Sequence, residues 1–562
     1  YEVTERLIRK FGLFDSAVVD ASGPAGGGTV LIGGGREGAN PDIRNATATY
    51  VGTGATVTAD ALENGDGGKI IAYADDTARI YGSLTARGGA EGGDGGFIET
   101  SGKRYLDVGL APDVGAPAGN GGEWLIDPAD LDIVDSSGHF GSDSSPFTSS
   151  DSKTQLDVAT IESALGDGAA VTIQTGACNT NCGDGDITWR SGVVLDFDRK
   201  GSTSLTLIAA DDIFFEGTII DGNRRTGGSD GDILTLDLQA LGGNIEFGSS
   251  AAITPSSGDP SSVNLTLAAA NNVTIDQDAS ITTQGGTFTS TGIDFDSTVS
   301  LGSGGIYTGD GAVTITHAGT VSLGDIDAGS GAITVEGATI DTIDGKSLIG
   351  GSIGLTATDG IGGFDMHGSP LNTQTTSLTA TTDTGNIYLS NTGDSATATT
   401  ADLSITVGTG NIDFSQVGGA VTFNSASAFD GDVTLTSAGY DLTVGDGGAI
   451  SGNSVSLTTT QASDFWGNPI TGDVILTGTT SGGDVTVTSS NAITGSGIVT
   501  ADTVILNATG NIGTNDTSRV TTNTADLDVE SGGDVFLENT YANPAVVETL
   551  SHIGGAFNLK NT

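Results

Sequence analysis

The sequence predicts an all-β fold in which short strands wind into the stacked coils of a parallel β-helix, or β-solenoid. Glycine supplies 91 of 562 residues, and Thr, Val, Ile and Ser recur throughout, which favours strands and turns. Runs such as residues 313–316 and 485–488 alternate aliphatic and hydroxyl side chains, which places the two kinds on opposite faces of a strand. A glycine corner recurs along the chain with a period of roughly 20 to 28 residues, and this is the length of one solenoid coil.

The first corners are glycine pairs, each leading into a short apolar strand. The pairs are Gly27–Gly28, Gly67–Gly68, Gly95–Gly96 and Gly121–Gly122. The step from Gly68 to Gly96 is nearly equal to the step from Gly96 to Gly122. Glycine suits a corner because it adopts positive φ without steric cost.

Beyond residue 230 the corner becomes Gly-Asn or Gly-Asp followed by a β-branched strand. Such corners begin at Gly243, Gly385, Gly410, Gly431, Gly472, Gly510 and Gly533. The steps from 385 to 410, from 410 to 431 and from 510 to 533 each indicate a single coil, whereas the step from 431 to 472 is nearly twice as long and fits two. Residues 205–217 also resemble residues 265–277.

We expect the Asn, Asp, Ser and Thr side chains at these turns to stack as hydrogen-bonded ladders. The alternative to a solenoid is a β-sandwich built from hairpins. Its strands would recur about every 8 to 12 residues, with no longer period.

One segment interrupts the strands. In residues 152–166, Leu156, Ile161 and Leu165 recur at helical spacing, which predicts a short helix lying on the solenoid. The Ser- and Asp-rich stretch 136–151 predicts an exposed loop. The chain therefore divides into coils over 1–135, an irregular loop- and helix-bearing β-helix segment over 136–230, and regular repeats over 231–562.

The charge balance excludes some partners. Lys and Arg total 19 against 70 Asp and Glu, for a net charge of −51. Nucleic-acid binding requires clustered basic side chains, so we expect no nucleic-acid partner. An acidic surface also repels anionic membranes, and it keeps a protein soluble at high density.

The two cysteines, Cys178 and Cys182, lie in a CNTNC stretch. A zinc site has little support, because there is no second pair and no nearby His. For an exported protein we favour a local disulfide that pins a loop, and two surface thiols are the alternative.

Three amino-terminal stretches carry glycine pairs, aspartates and strands in a recurring order. They are GGGTVLIGG at 26–34, the stretch 66–103 and GNGGEWLIDPADLDIV at 119–134. Over about residues 15–135 the chain thereby resembles the filamentous-haemagglutinin-like exoproteins of two-partner secretion systems. Beyond residue 135 the likeness is that of β-helices in general.

The resemblance implies a right-handed β-helix that is exported through an outer-membrane secretion partner. It implies display on, or shedding from, the cell surface of a Gram-negative-type bacterium, and it implies no ligand. The amino-terminal secretion domain of the family is not evident. Because the chain starts at Tyr1, we expect a mature or internal portion of a longer protein.

Catalysis by a β-helix requires a cleft with paired carboxylates, or bound calcium beside a basic residue. We interpret Asp211–Asp212 and the Asp294 and Asp296 pair as turn or surface residues, and assign no catalytic residue. The histidines show no metal-ligand spacing: His139, His317, His367 and His552. No cofactor is required, although Ca²⁺ stays open as a ligand of the Asp-Gly turns 183–186 and 309–311.

These patterns predict an extracellular structural or adhesive protein and no enzyme. We expect a segment of a long rod or fibre that mediates attachment or matrix formation. Its expected partners are host or neighbouring-cell surfaces, matrix polysaccharide and further copies joined end to end through open strand edges. The alternative is a polysaccharide-acting lyase or glycosidase. Trp189, Phe465 and Trp466 lie near turns, where aromatic rings contact sugars or partners, or else cover coil ends.

Overall fold

The chain consists of two compact units, Tyr1–Gly311 and Ala312–Thr562. The computed structural model describes residues 10–135, 145–147, 153–176, 183–197, 201–222, 231–255, 260–276, 278–297, 304–342, 345–363, 368–393, 399–464, 466–543, 545–551 and 554–562. Strands from successive coils pair in parallel in both units. The predicted all-β fold, a parallel β-helix, is therefore confirmed.

The first unit contains short strands, one α-helix and one 3₁₀ turn among its described residues. The helix is α1 (Val158–Gly166) and the 3₁₀ turn is Arg36–Gly38. The strands are β1 Lys10–Leu13, β2 Val18–Asp20, β3 Thr29–Ile32, β4 Ala48–Val51, β5 Thr56–Thr58, β6 Lys69–Ala74, β7 Thr77–Ile80, β8 Ser83–Thr85, β9 Phe97–Gly102, β10 Tyr105–Val108, β11 Glu123–Pro128, β12 Leu131–Val134, β13 Thr154–Asp157, β14 Ala170–Gln174, β15 Ile187–Trp189, β16 Val194–Asp196, β17 Ser202–Ala209, β18 Ile213–Phe215, β19 Thr218–Ile220, β20 Ile233–Ala240, β21 Ile245–Phe247, β22 Ala252–Thr254, β23 Ser262–Ala269, β24 Val273–Ile275, β25 Ser280–Thr282, β26 Phe288–Gly292, β27 Phe295–Asp296 and β28 Gly305–Tyr307.

Each regular coil of this unit has three strands. β17, β18 and β19 form one coil, β20, β21 and β22 stack on it, and β23, β24 and β25 stack on these in turn. Leu205 lies opposite Leu236, which lies opposite Leu265. The resemblance between residues 205–217 and 265–277 therefore relates two coils that are separated by a third.

The core is filled by the inward side chains of these strands. Trp189, Phe215 and Phe247 occupy the same position in three successive coils and are buried. Their ring centroids are 4.9 and 5.0 Å apart, within the range of favourable aromatic pairs. Because coils repeat the same core position, one sequence pattern yields a continuous apolar stack.

The predicted helix near 152–166 is confirmed, with α1 occupying the second half of that segment. Asp157 is its N-cap, and its side chain accepts a hydrogen bond from the backbone N–H of Ala159 at 3.0 Å. Ile161 and Leu165 are buried, and the helix packs against β14 and β16. The preceding residues form β13 instead, because they pair in parallel with β12.

The second unit continues with strands alone among its described residues. They are β29 Val313–His317, β30 Thr320–Leu323, β31 Ile326–Asp327, β32 Ala332–Thr342, β33 Ser347–Ile349, β34 Ser352–Ile361, β35 Leu371–Gln374, β36 Leu378–Thr384, β37 Ile387–Thr392, β38 Thr399–Thr409, β39 Ile412–Val417, β40 Ala420–Ala428, β41 Val433–Ala438, β42 Leu442–Ser451, β43 Ser454–Thr460, β44 Ala462–Ser463, β45 Pro469–Ile470, β46 Val474–Leu476, β47 Thr479–Ser481, β48 Asp484–Ser489, β49 Ile493–Thr494, β50 Ile498–Thr500, β51 Thr503–Ala508, β52 Val520–Asn523, β53 Asp526–Ser531, β54 Val535–Asn539, β55 Val546–Ser551 and β56 Phe557–Asn561.

The strand registers of the second unit correct one interpretation of corner spacing. Ile412 lies opposite Val433, as the step from one Gly-Asx corner to the next predicts. Val433 in turn lies opposite Val455, whereas Val474 stacks on Leu442 in another column of strands. The long step from 431 to 472 therefore joins two different sides of the coil, and its interpretation as two coils is wrong. The same Gly-Asx chemistry marks both corners, so spacing alone does not distinguish them.

Side chains at the corners form the predicted ladders. The Oδ1 of Asn386 accepts a hydrogen bond from the backbone N–H of Asn411 at 2.9 Å. The Oδ1 of Asn411 accepts one from Asp432, also at 2.9 Å. Each bond satisfies a backbone N–H where the chain turns away from the sheet. The first unit has a corresponding ladder that runs through Asp130, Asp186, Asp212, Asn244 and Asn272.

One antiparallel ladder occurs among the described strands, the hairpin of β44 and β45. It is inserted between β43 and β46, which both pair in parallel with strands of other coils. Within the described ranges, no helix is long and apolar enough to cross a membrane.

Candidate functional sites

A loop over residues 33–46 covers the outward face of the amino-terminal strands. β3 ends at Ile32, whereas β6 beside it continues to Ala74, so the chain leaves the sheet at Gly33 and returns at β4. Ile71 and Tyr73 point away from the core by strand alternation, yet both are fully buried. The loop backbone at Gly38 passes directly over the Tyr73 ring. We call this surface the covered face.

Glu99 is an acid at the centre of the covered face. Its side chain is fully buried, and its Oε1 accepts hydrogen bonds from the backbone N–H of Glu37 at 2.9 Å and the hydroxyl of Ser101 at 2.8 Å. Its Oε2 has no hydrogen-bond partner in the described parts of the chain. Burial raises the pKa of Glu99, against the effect of these hydrogen bonds. Glu37 has a φ of 53°, a left-handed conformation that is uncommon for any residue other than glycine.

Asp127 is a second acid on the covered face. It lies opposite Ser101, whereas Glu99 lies opposite Leu125, so the two acids are diagonal neighbours on paired strands. Burial, and then the negative charges of Glu99 and Glu37, raise the pKa of Asp127 to about 7. One carboxyl of this pair therefore stays protonated well above the ordinary range of an aspartate.

A groove of about 460 Å³ opens between the loop and the strands beneath it. Its floor includes the aliphatic side chains of Leu31 and Ile71, and Arg36 and Lys69 contribute positive charge. Both cations lie over the ring of Phe97, at 4.7 and 5.1 Å from its centroid. The covered face thus combines a groove, two cations, a buried acid and a half-buried acid within one part of the first unit.

The second candidate is a cluster of aspartates, Asp186, Asp211 and Asp212, whose nearest carboxylate oxygens all lie within 4.8 Å of one another. Burial, together with the charges of Asp130 and Asp212, raises the pKa of Asp186. Carboxylate oxygens are ligands that Ca²⁺ prefers. Asp186 belongs to the predicted calcium turn 183–186. The structure therefore brings that turn close to Asp211 and Asp212, the pair interpreted from the sequence as turn residues. Asp310, from the other predicted turn, joins no such cluster among the described acids.

The remaining sequence candidates are dispersed. Cys178 and Cys182, and so the predicted disulfide, lie outside the described residues, as do Phe465 and three of the four histidines: His139, His367 and His552. His317 is buried in β29. Asp294 is half-buried at the corner before β27, as a turn interpretation predicts, whereas Asp296 is half-buried within strand β27.

Sequence reasoning missed Glu99, Asp127 and the groove. Both acids alternate with core residues in their strands, a pattern that predicts exposure to solvent. Glu99 is buried because a loop from another coil lies over that part of the sheet, and Asp127 is half-buried. The one local signal is the length of β6 and β9, which extend two residues beyond the end of β3.

No family model matches the chain, and no curated protein matches it. The resemblance to filamentous-haemagglutinin-like exoproteins therefore stays a prediction.

Proposed function

We propose that this is an extracellular structural or adhesive protein, a segment of a rod or fibre whose stacked coils mediate attachment or matrix formation. The ladder of corner side chains carries the proposal. Asp and Asn, the residues from which polar binding sites are commonly built, are used here to hold one coil to the next. The repeat therefore extends a stack of coils.

Two of the basic residues support the same role. Arg104 pairs with Asp76 on the preceding coil, Nε to Oδ1 at 2.5 Å. Arg190 reaches Asp132 on the neighbouring strand, Nη2 to Oδ2 at 2.6 Å. In both cases a scarce cation joins two coils instead of facing a substrate cleft.

Export and partners rest on the resemblance. We propose secretion through an outer-membrane partner, location on the outer surface of a Gram-negative-type bacterium, and contact with neighbouring surfaces, matrix polysaccharide or further copies. Immunogold labelling of producing cells and an attachment assay with and without the protein test this. We expect surface label and loss of attachment. Label confined to the cell interior, or unchanged attachment, would contradict the proposal.

The covered face favours a second candidate, an enzyme acting on polysaccharide. A protonated carboxyl beside a second carboxylate is the arrangement that glycoside hydrolysis uses. Glu99 and Asp127 are such a pair, and Glu99 is linked to the groove wall by the hydrogen bond that it accepts from the backbone N–H of Glu37. Incubation with acidic and neutral polysaccharides decides between the two. Product release that Glu99→Gln abolishes and Glu91→Gln preserves would favour the enzyme. Absence of release favours the structural role.

A further inference from the structure

The hairpin of β44 and β45 presents Trp466 to solvent. At 82% exposure it is the most exposed large hydrophobic side chain in the described chain, whereas Trp124 and Trp189 are fully buried. The hairpin residues do not pair with strands of other coils, since Ala462 pairs with Ile470 and the next pair closes the hairpin. The coil stack does not require the hairpin for its own pairing.

Asp464 makes several hydrogen bonds to the described residues of the hairpin tip, 466–468. Its Oδ1 accepts hydrogen bonds from the backbone N–H groups of Trp466 at 2.9 Å and Asn468 at 2.7 Å, and its Oδ2 accepts one from the Asn468 side chain at 2.8 Å. The N–H of Gly467 donates to the Asp464 carbonyl at 3.0 Å, and Gly467 has a φ of 82°. A tip restrained in this way loses little conformational entropy when it binds a partner.

The base of the hairpin is fixed to the second unit. A Cβ at Gly439 would lie 2.6 Å from the Cβ of Ala462 and 3.4 Å from that of Ile470. The hairpin therefore packs against the backbone that follows β41, and only glycine allows this approach. The fold thus positions the indole on a projection whose base packs against the second unit.

We propose that Trp466 binds an uncharged sugar ring of a polysaccharide. This proposal rests on the adhesive function proposed above and names the class of ligand. An indole face packs on the C–H face of a sugar ring without needing an opposite charge. A chain with a net charge of −51 repels polyanions. Protein hot spots are surrounded by contacts that exclude water, whereas Trp466 is 82% exposed beside the polar side chains of Asp464 and Asn468.

The test is cosedimentation of the full chain with insoluble neutral polysaccharides, a glucan and a mannan, and with an insoluble polyuronate. We expect binding to at least one neutral polysaccharide, a loss of about tenfold in affinity for Trp466→Ala, and partial retention for Trp466→Phe; tenfold corresponds to about 1.4 kcal/mol. Phe429→Ala is the matched control, since Phe429 is 79% exposed in the same unit, and it should bind as wild type.

Three results would overturn the inference: equal binding by Trp466→Ala and wild type, binding to the polyuronate alone, or no binding to either neutral polysaccharide. The cell attachment assay separates this failure from that of the proposed function. If attachment depends on the protein while Trp466→Ala binds glycan normally, only the inference fails. If attachment does not depend on the protein, the adhesive function itself fails.

Discussion

The corners of the amino-terminal coils and those of the second unit connect neighbouring coils with different sequences. In Asp94-Gly95-Gly96 an acid precedes two glycines, whereas in Gly410-Asn411 one glycine precedes an amide. Asp94 nevertheless accepts a hydrogen bond from the backbone N–H of Asn120 in the next coil at 2.7 Å, and Asn411 accepts the equivalent bond from Asp432 at 2.9 Å. The ladder bond is therefore the element that both kinds of corner share.

The glycines of the two kinds of corner differ in how many backbone segments lie close to them. A Cβ at Gly95 would lie 1.8 Å from the carbonyl oxygen of Val114 and 2.3 Å from the nitrogen of Gly122. A Cβ at Gly410 would lie 2.0 Å from the carbonyl oxygen of Gly385. At the single-glycine corner, Gly410 lies against one backbone segment. At the paired corner, Gly95 lies against two backbone segments. The comparison teaches that the number of glycines at a corner reflects how closely neighbouring backbone segments approach it. The Asx residues at the corners hold the coils together.

Gly95→Ala should give the largest effect, because backbone atoms on both sides of the new Cβ cannot move aside. We expect a loss of about 3 kcal/mol or more in the free energy of unfolding, measured by denaturant titration with the fluorescence of the buried Trp124 and Trp189. Gly176→Ala is the control, since a Cβ there meets nothing within 4 Å. Equal stability of the two variants would contradict the claim that close backbone atoms require glycine at position 95.

Removing a ladder oxygen should cost less, and by similar amounts in the two units. Asp94→Ala and Asn411→Ala each remove the side-chain acceptor of an exposed corner N–H, for an expected loss of about 0.5–1.5 kcal/mol. Asn411→Asp retains the accepting oxygen and should stay near wild type in the same titration. A loss confined to one unit would show that the ladders are not equivalent.

The covered face should make stability depend on pH. Because the pKa of Asp127 is raised to about 7 in the folded chain, the fold retains a proton that an unfolded aspartate releases near pH 4. Stability should therefore fall as pH rises from about 4 to about 7 and level off above that. Asp127→Asn should reduce this slope, and Glu91→Gln, at an exposed site, should not. Identical slopes for all three proteins would contradict the raised pKa.

Calcium should give the smallest effect, and only at the acidic ladder. Asp186, Asp211 and Asp212 concentrate negative charge in the first unit, whereas Asn386 and Asn411 form a neutral stretch in the second. We expect millimolar Ca²⁺ to raise the melting temperature by about 2 °C through binding to the folded state. Asp211→Asn should remove the rise, and Asn411→Ala should keep it. A rise that survives Asp211→Asn would place the ion elsewhere.

The sequence predicted what depends on local repetition. Alternation in β29 and β48 identified strands, the Gly-Asx corners predicted coils and ladders, and Ile161 and Leu165 indicated α1. What it did not predict depends on distant chain segments. Glu99 is buried by a loop whose path no local pattern encodes.

The aromatic residues make the same point. Trp189 and Trp466 both lie near turns in the sequence, but one ends a strand within a core column and the other caps a hairpin. Hydrophobicity is equal in the two cases, so only pairing with neighbouring coils decides which ring is buried. The two corners before Val433 and Val474 likewise share their chemistry and differ only in the strands they stack on.

The central claim is that corner Asx side chains hold adjacent coils together through their backbone N–H groups. Hydrogen–deuterium exchange of Asn411→Ala against wild type tests it most directly, because the Oδ1 of Asn411 accepts from the N–H of Asp432. We predict faster exchange in peptides that contain the Asp432 corner and unchanged exchange in those that contain β17 and β20. Unchanged exchange at the Asp432 corner would contradict the claim.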